Sequence, residues 1–252
     1  MSKTVRVRPR FAPFESTPVP RYGKGAEVLE DCRLIRADRV VGNEAWFERV
    51  AEICNEPRVY DLLFGKKLEG QPYRPERARG FLAWGKQGWK YGTHFLFFVN
   101  DSNGRLLAAL DMKSPDWEDA EIGYWATENS PGVMTAAVER MMSAGREAGY
   151  RSLHAYVVPG NQRSIGVLER AGFDSEGLKE SRGKPMLRFS KRLTEPRLSR
   201  TDGWLGPSRT QPAFLEGFRI GGRFGGRITP IASRWASIDS RLSRSWAMSR
   251  SA

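Results

Sequence analysis

The chain has 252 residues, 40% of them hydrophobic, with a formal net charge of +12, pI near 10 and only two cysteines. No apolar run reaches the roughly 18 residues that a membrane-spanning helix needs, and Cys32 and Cys54 are too few for a disulfide framework and lack metal-ligand spacing. The basic charge belongs to the ends: residues 1–25 hold six Lys/Arg against one acid and residues 195–252 ten Arg against four, leaving 25 basic and 24 acidic residues in 26–194.

The first 25 residues include four prolines and lack an apolar secretory core, so they read as a flexible basic arm. With two unpaired cysteines, a reducing, cytoplasmic setting is expected. Cys32–Val41 reads as a first strand, and Asn43 caps a helix with Trp46, Phe47, Val50, Ala51 and Cys54 on one face. A short apolar piece, Val59–Phe64, follows Pro57, and Pro75-Glu76 opens another helix. His94–Val99 is strongly strand-like. Asn103-Gly104 is a hairpin turn signal, and Leu106–Met112 is the partner strand.

The stretch Glu121–Phe173 then gives strand, turn, helix, strand, turn and helix. Alternation in Glu121–Ala126 sets Glu121, Gly123 and Trp125 on one face and Ile122, Tyr124 and Ala126 on the other. Ser130 as N-cap with Pro131 at the first helical position reads as a helix start, and Met134, Ala137, Val138, Met141 and Met142 form the inward stripe. Leu153–Val158 is the next strand. Asn161 caps the last helix, Gly172 stops it, and Leu178 and Met186–Phe189 point to one or two final strands. The element order predicts an α/β (α+β) mixed sheet with helices on both faces. Past Arg192, Gly, Ser, Arg and Trp follow no structural period, and residues 195–252 read as a disordered tail.

EIGYW, then GVMT at a helix start, then N-x-x-S-x-x-V-L-E-x-x-G-F with a following E-G, resembles the GCN5-related N-acetyltransferase (GNAT) superfamily and, within it, the RimJ/RimL-type branch. The resemblance covers roughly residues 30–193 and rests on Asn161, Ser164, Val167, Leu168, Glu169, Gly172, Phe173, Glu176 and Gly177. It implies a GNAT-like acyl-CoA N-acyltransferase fold over 26–194, a bent sheet splayed beside its fourth strand, with acetyl-CoA in the split. By that likeness the backbone of Trp125 and Ala126 holds the pantetheine. The amides of Gly132, Val133, Met134 and Thr135 receive the pyrophosphate, and Asn161 and Ser164 face the thioester. Helix-start N–H groups and the helix dipole favour an anion there. The likeness also makes Glu121 the candidate general base and Ser164 the candidate proton donor to the leaving thiolate.

The pyrophosphate loop is a degenerate copy. Of the pattern Gln/Arg-x-x-Gly-x-Gly/Ala only Gly132 is kept, Thr127 and Ser130 fill the earlier slots, Pro131 removes one amide, and no Lys or Arg lies between Lys113 and Arg140. The expected activity is acetyl transfer from acetyl-CoA to an amine acceptor, a protein N-terminus or a small amine. One alternative is a GNAT-fold binding module that has lost catalysis. A third reading is a nucleic-acid-associated protein acting non-specifically through its basic ends, whose Trp204, Phe218, Phe224, Trp235 and Trp246 interleave with Arg. Each candidate also has an ordinary reading: Glu121 as a solvated strand-end acid, Ser164 as a first-turn serine, Asn161 as a cap, Glu180 as a surface acid. His94 and His154 are expected to be structural, Cys54 buried, and the aromatics of 60–98 mostly core.

Overall fold

A computed structural model describes Phe11, residues 16–22 and residues 28–193. The expected disordered tail, 195–252, lies outside the described residues. Eight strands form one mixed sheet in the order β1-β2-β3-β4-β5-β6-β8-β7. The strands are β1 (Ser16–Tyr22), β2 (Val28–Arg36), β3 (Phe95–Asn100), β4 (Leu106–Met112), β5 (Ala120–Ala126), β6 (Ser152–Val157), β7 (Asp174–Ser181) and β8 (Lys184–Arg192). The helices are α1 (Glu44–Cys54), α2 (Pro57–Val59) leading into a π-helical turn Tyr60–Phe64, α3 (Pro75–Tyr91), α4 (Val133–Glu147) and α5 (Gln162–Arg170).

The uninterrupted apolar run of β3 is explained by cover on both faces, a pattern a one-sided sheet does not need. Phe95, Phe97 and Val99 join Leu34, Leu110, Met112 and Ile122 beneath α4, with Val138 and Met141 from that helix. Leu96 and Phe98 join Ala109 on the opposite face, beneath Val50, Ile53, Ala78 and Leu82 from α1 and α3. Most aromatics of 60–98 serve this packing, as expected. Trp46 and Phe81 meet Phe98 edge-on, and Trp89 lies edge-on to Phe95 and Phe97 while its Nε1 donates to the Leu96 carbonyl at 2.7 Å. Asn43 caps α1 as read, its Oδ1 accepting from the Trp46 amide at 2.9 Å.

The strand read over Cys32–Val41 is β2, which ends at Arg36 before a 3-10 turn at Ala37–Arg39, and two larger expectations change. Residues 16–22, inside the stretch read as a flexible arm, form the edge strand β1, antiparallel to β2. Pro18 and Pro20 are tolerated because β1 has only one neighbour, and prolines two apart turn their missing donors to the same, outer side. The second change concerns α4. It begins at Val133, not Pro131, and its N-cap is Gly132 at φ 85°, with no side chain capping it. Ser130 instead closes a turn, its amide donating to the Thr127 carbonyl at 3.4 Å. Only glycine enters that left-handed conformation without strain, and it lets the helix start directly after the turn.

The sheet is continuous on the β4 side of β5 but not on the β6 side. β5 and β6 run parallel and pair only at Ala120 with Leu153 and Glu121 with His154. Beyond that, Ile122–Ala126 and Ala155–Val157 diverge. This is the splay implied by the resemblance, here beside the fifth strand because β1 precedes the others.

Gly88, on α3, is where helix and sheet come closest: a Cβ would stand 2.3 Å from the His94 carbonyl oxygen and 2.4 Å from its ring. Backbone cannot retreat as a flexible side chain can. Gly88→Ala is therefore expected to destabilise the fold by about 2 kcal/mol or more, read as a lower urea midpoint with unchanged slope.

Candidate active site

The divergence of β5 and β6 opens a cleft of about 500 Å³. Its walls come from β5 and the following turn (Tyr124 to Ser130), the start of α4 (Gly132, Met134, Thr135), the start of α5 (Asn161 to Ser164) and the α2 region (Arg58, Val59, Leu62, Leu63). The parallel pairing stops after two rungs, so the β6-facing backbone groups of Tyr124 and Ala126 have no strand opposite them, whereas those of Trp125 turn to β4, in step with Glu121 and Thr127, which bond the Lys113 amide and the Leu107 carbonyl. Unpaired groups need partners when water is displaced, and a ligand arm with its own amides supplies them.

The cleft gathers most of the predicted residues: Trp125, Ala126, Gly132, Met134, Thr135, Asn161 and Ser164 all line it. Val133 contributes only backbone, because its side chain is buried in the core below α4. The uncapped helix start leaves first-turn N–H groups beside the cleft for an anion. Asn161 caps α5, its Oδ1 accepting from the Ser164 amide at 3.2 Å. The Ser164 hydroxyl thereby reaches the cleft, where its Oγ lies 2.7 Å from the Tyr124 hydroxyl. Burial pushes the Tyr124 phenol up to about 12, against the opposing effects of Ser164 and nearby Arg170. It stays protonated at neutral pH and orients the serine.

Glu121 stands apart. It lies at the closed, paired end of β5 and does not line the cleft. Its Oε1 is 2.6 Å from Lys113 Nζ and 2.7 Å from an Arg182 guanidinium nitrogen. Burial alone would raise its pKa, but Lys113 and Arg182 outweigh that and hold the carboxyl below the usual range. Arg182 occupies a left-handed position (φ 54°) in the tight β7–β8 turn, which aims its side chain back over β5.

Behind this ion pair lies a second carboxylate that the sequence did not single out. Asp111 on β4 pairs in register with Gly123, and its Oδ2 is buried without a hydrogen-bond partner. Gly123 is required by it: a Cβ there would lie 2.8 Å from Asp111 Oδ1 and 2.9 Å from Lys113 Nζ. Burial raises the Asp111 carboxyl to about 6, with Lys113 opposing and Glu121 adding to the rise.

The remaining expectations are mostly structural in outcome. His94 bridges the Trp84 carbonyl and the Thr93 hydroxyl and is stacked on Trp84, with burial lowering its pKa. His154 Nδ1 lies 2.9 Å from Asp119, which also takes Arg188. Cys54 is buried, and burial pushes its thiol up. Glu180 is exposed on β7. Among the described residues no cluster of His, Cys, Asp and Glu is set to hold a metal ion, and no helix is long and apolar enough to cross a membrane.

A sheet split beside an uncapped helix start is the arrangement that the resemblance to acyl-CoA N-acyltransferases implies. Residues 43–174 match the family model described as "Acetyltransferase (GNAT) domain", so the chain belongs to the GNAT family, acetyltransferases that use acetyl-CoA as acyl donor. Among solved structures, RimJ of Mycobacterium smegmatis in complex with CoA-disulfide is similar over 70% of this chain and 86% of its own, at 17% identity and TM-score 0.55. An acetyltransferase of Salmonella typhimurium that modifies the N-terminal serine of ribosomal protein L7/L12 is similar over 65% of this chain and 95% of its own (18%, TM-score 0.52). The microcin C7 self-immunity acetyltransferase MccE, with acetyl-CoA and AMP, covers 65% of this chain and 93% of its own (15%, TM-score 0.52). No curated protein matches the sequence.

Asp111 supplies a pH test. In the unfolded chain its carboxyl ionises near its ordinary 3.8, whereas the folded value is about 6. The folded state therefore binds the proton more tightly, and this stabilising contribution is lost as pH rises from about 4 through about 6. Asp111→Asn removes the titration. Its melting temperature relative to wild type is expected to increase between pH 4.5 and pH 7.5, by the equivalent of about 2 kcal/mol.

Proposed function

We propose that the chain acetylates an α-amino group, as at a protein N-terminus, with Ser164 delivering the proton that the departing thiolate takes up. The observation carrying the reading is the hydroxyl pair at the cleft, Ser164 Oγ and Tyr124 Oη at 2.7 Å, on the first turn of α5. A capped helix start fixes Ser164, and a phenol that stays protonated supports it. Acetyl-CoA, when bound, supplies a thioester carbonyl open to attack by a neutral amine. The chain's residues position that carbonyl through the free edge of β5, hold the anionic end of the donor, and relay to sulfur the proton that the attacking amine gives up, so that Ser164 ends protonated as it began.

The choice of acceptor follows from the carboxylates. Among the described cleft-lining residues the only acid is Glu128, whose Oε1 accepts from the Arg58 amide at 3.0 Å. Glu121 is ionised and able to take a proton, but its two cations make it a weak base and its position is at the closed end. A site so furnished suits an amine that is already partly neutral. An α-amine, near 7.7–8.0, carries a substantial neutral fraction at pH 7.5, whereas a lysine amine near 10.4 is about 0.1% neutral. Structural neighbours that act on ribosomal-protein N-termini fit the same reading.

Mass spectrometry of peptides offered with acetyl-CoA tests the acceptor. Acetyl groups are expected on the free N-terminus, with a rate that follows the amine's own ionisation near pH 8. Acetylation confined to lysine side chains would overturn the assignment. Ser164→Ala is expected to lower kcat by about 10²-fold while calorimetry shows acetyl-CoA affinity retained.

Glu121→Gln separates base from anchor. As the anchor of Lys113 and Arg182 it is expected to cost about 2 kcal/mol of stability and to leave kcat within about tenfold. A loss of 10²-fold or more in kcat with unchanged stability would make Glu121 the base.

A further inference from the structure

The loop that follows β5 has committed three of its amides internally. The Thr127 amide donates to the Leu107 carbonyl at 2.8 Å and the Ser130 amide to the Thr127 carbonyl. The Glu128 amide donates to Glu56 Oε2 at 2.6 Å, and the same carboxylate accepts from the Thr127 hydroxyl. Pro131 has no amide hydrogen. Glu56, at the junction of α1 and α2, thus sits as an internal anion on a loop that otherwise offers N–H groups to an external one.

The same cleft is lined by cations. Arg58, Arg163 and Arg170 line it against the single acid Glu128, although residues 26–194 as a whole are almost neutral. Arg170, at the end of α5, is folded back along its own helix, with Nε donating to Thr135 Oγ1 at 3.3 Å at the start of α4. Gly166, one turn earlier, makes room for this. A Cβ there would lie 3.0 Å from an Arg170 guanidinium nitrogen. Arg163, in the first turn of the same helix, has no acidic partner among the described residues. Arg58 approaches from the facing wall, with Nε 3.9 Å from Glu128.

We propose that the phosphate-bearing arm of the acyl donor is held by the guanidinium groups of Arg163 and Arg170, with Arg58 closing from the facing wall, in place of the amides of the loop after β5. This rests on the acetyltransferase reading above. Guanidinium fits this role because it is always charged and its planar fork matches two phosphate oxygens at once. The first-turn amides of α4 contribute beside Arg170, which Thr135 ties to that helix start.

Calorimetry on the full chain tests this with CoA, pantetheine and inorganic pyrophosphate. Arg163→Ala with Arg170→Ala is expected to weaken CoA binding by about 10-fold per guanidinium lost, and to reduce its salt sensitivity, while leaving pantetheine affinity unchanged. Arg170→Lys recovers part of the loss. Arg146→Ala, in the last turn of α4, serves as the control that leaves CoA binding intact. CoA binding by the double variant equal to wild type would overturn the proposal. Should wild type bind no CoA, the acetyltransferase reading fails, and pyrophosphate alone decides the site: binding lost in the double variant upholds it, and no binding overturns it.

Discussion

Everything at the site depends on the pairing of β5 with β6 ending after two rungs. Ala120 with Leu153 and Glu121 with His154 close the sheet at one end. From Ile122 onward the two strands belong to different neighbours, β5 to β4 and β6 to β8. A strand edge inside a sheet carries unsatisfied N–H and C=O groups, and burying them without partners is costly. The divergence therefore creates both the space and the demand for an extended polar ligand. Two helices then point their first turns at the same gap, because each starts where one of the diverging strands ends.

Charge is distributed around that gap by depth. At the closed end, Lys113, Glu121, Arg182 and the buried Asp111 form a compact cluster that holds β4, β5 and the β7–β8 turn together. Removing Lys113 or Glu121 leaves the other uncompensated in a poorly solvated place, whereas Arg182 closes over the pair from the solvent side. At the open end the groups are more exposed and mostly cationic. This division argues for a structural role for the inner charges and a ligand-binding role for the outer ones. It also accounts for Gly123, since the close approach of Asp111 and Lys113 across β5 leaves no room for a side chain.

The loop after β5 shows how a worn sequence pattern still serves one geometry. Its glycines are reduced to Gly132, yet Gly132 takes the left-handed conformation that starts α4 without a side-chain cap. A serine or asparagine cap in its ordinary extended conformation would satisfy one of the first-turn donors, a gain of only a few tenths of a kcal/mol over glycine. Leaving them open forgoes that gain and keeps the helix start available to a ligand.

The elements and the family are legible in the linear chain. Periodicity is a local property, so α1, α3, α4 and the β3–β4 hairpin can be read from it, as can the Asn161–Phe173 motif with its cap and its glycine stop. The same motif points Asn161 and Ser164 to the cleft. Glu121 shows the limit: strand alternation gives a residue its face but not its neighbours, and the two cations on this carboxylate come from residues 8 and 61 positions away. Tyr124 is visible within EIGYW, while its bond to Ser164 spans 40 residues. Glu56 and Arg58 reach the loop at Thr127–Glu128 because the α1–α2 junction folds beside the end of β5. These contacts are properties of the assembled fold. Each depends on where distant elements cross the sheet, and a linear pattern carries no record of that crossing.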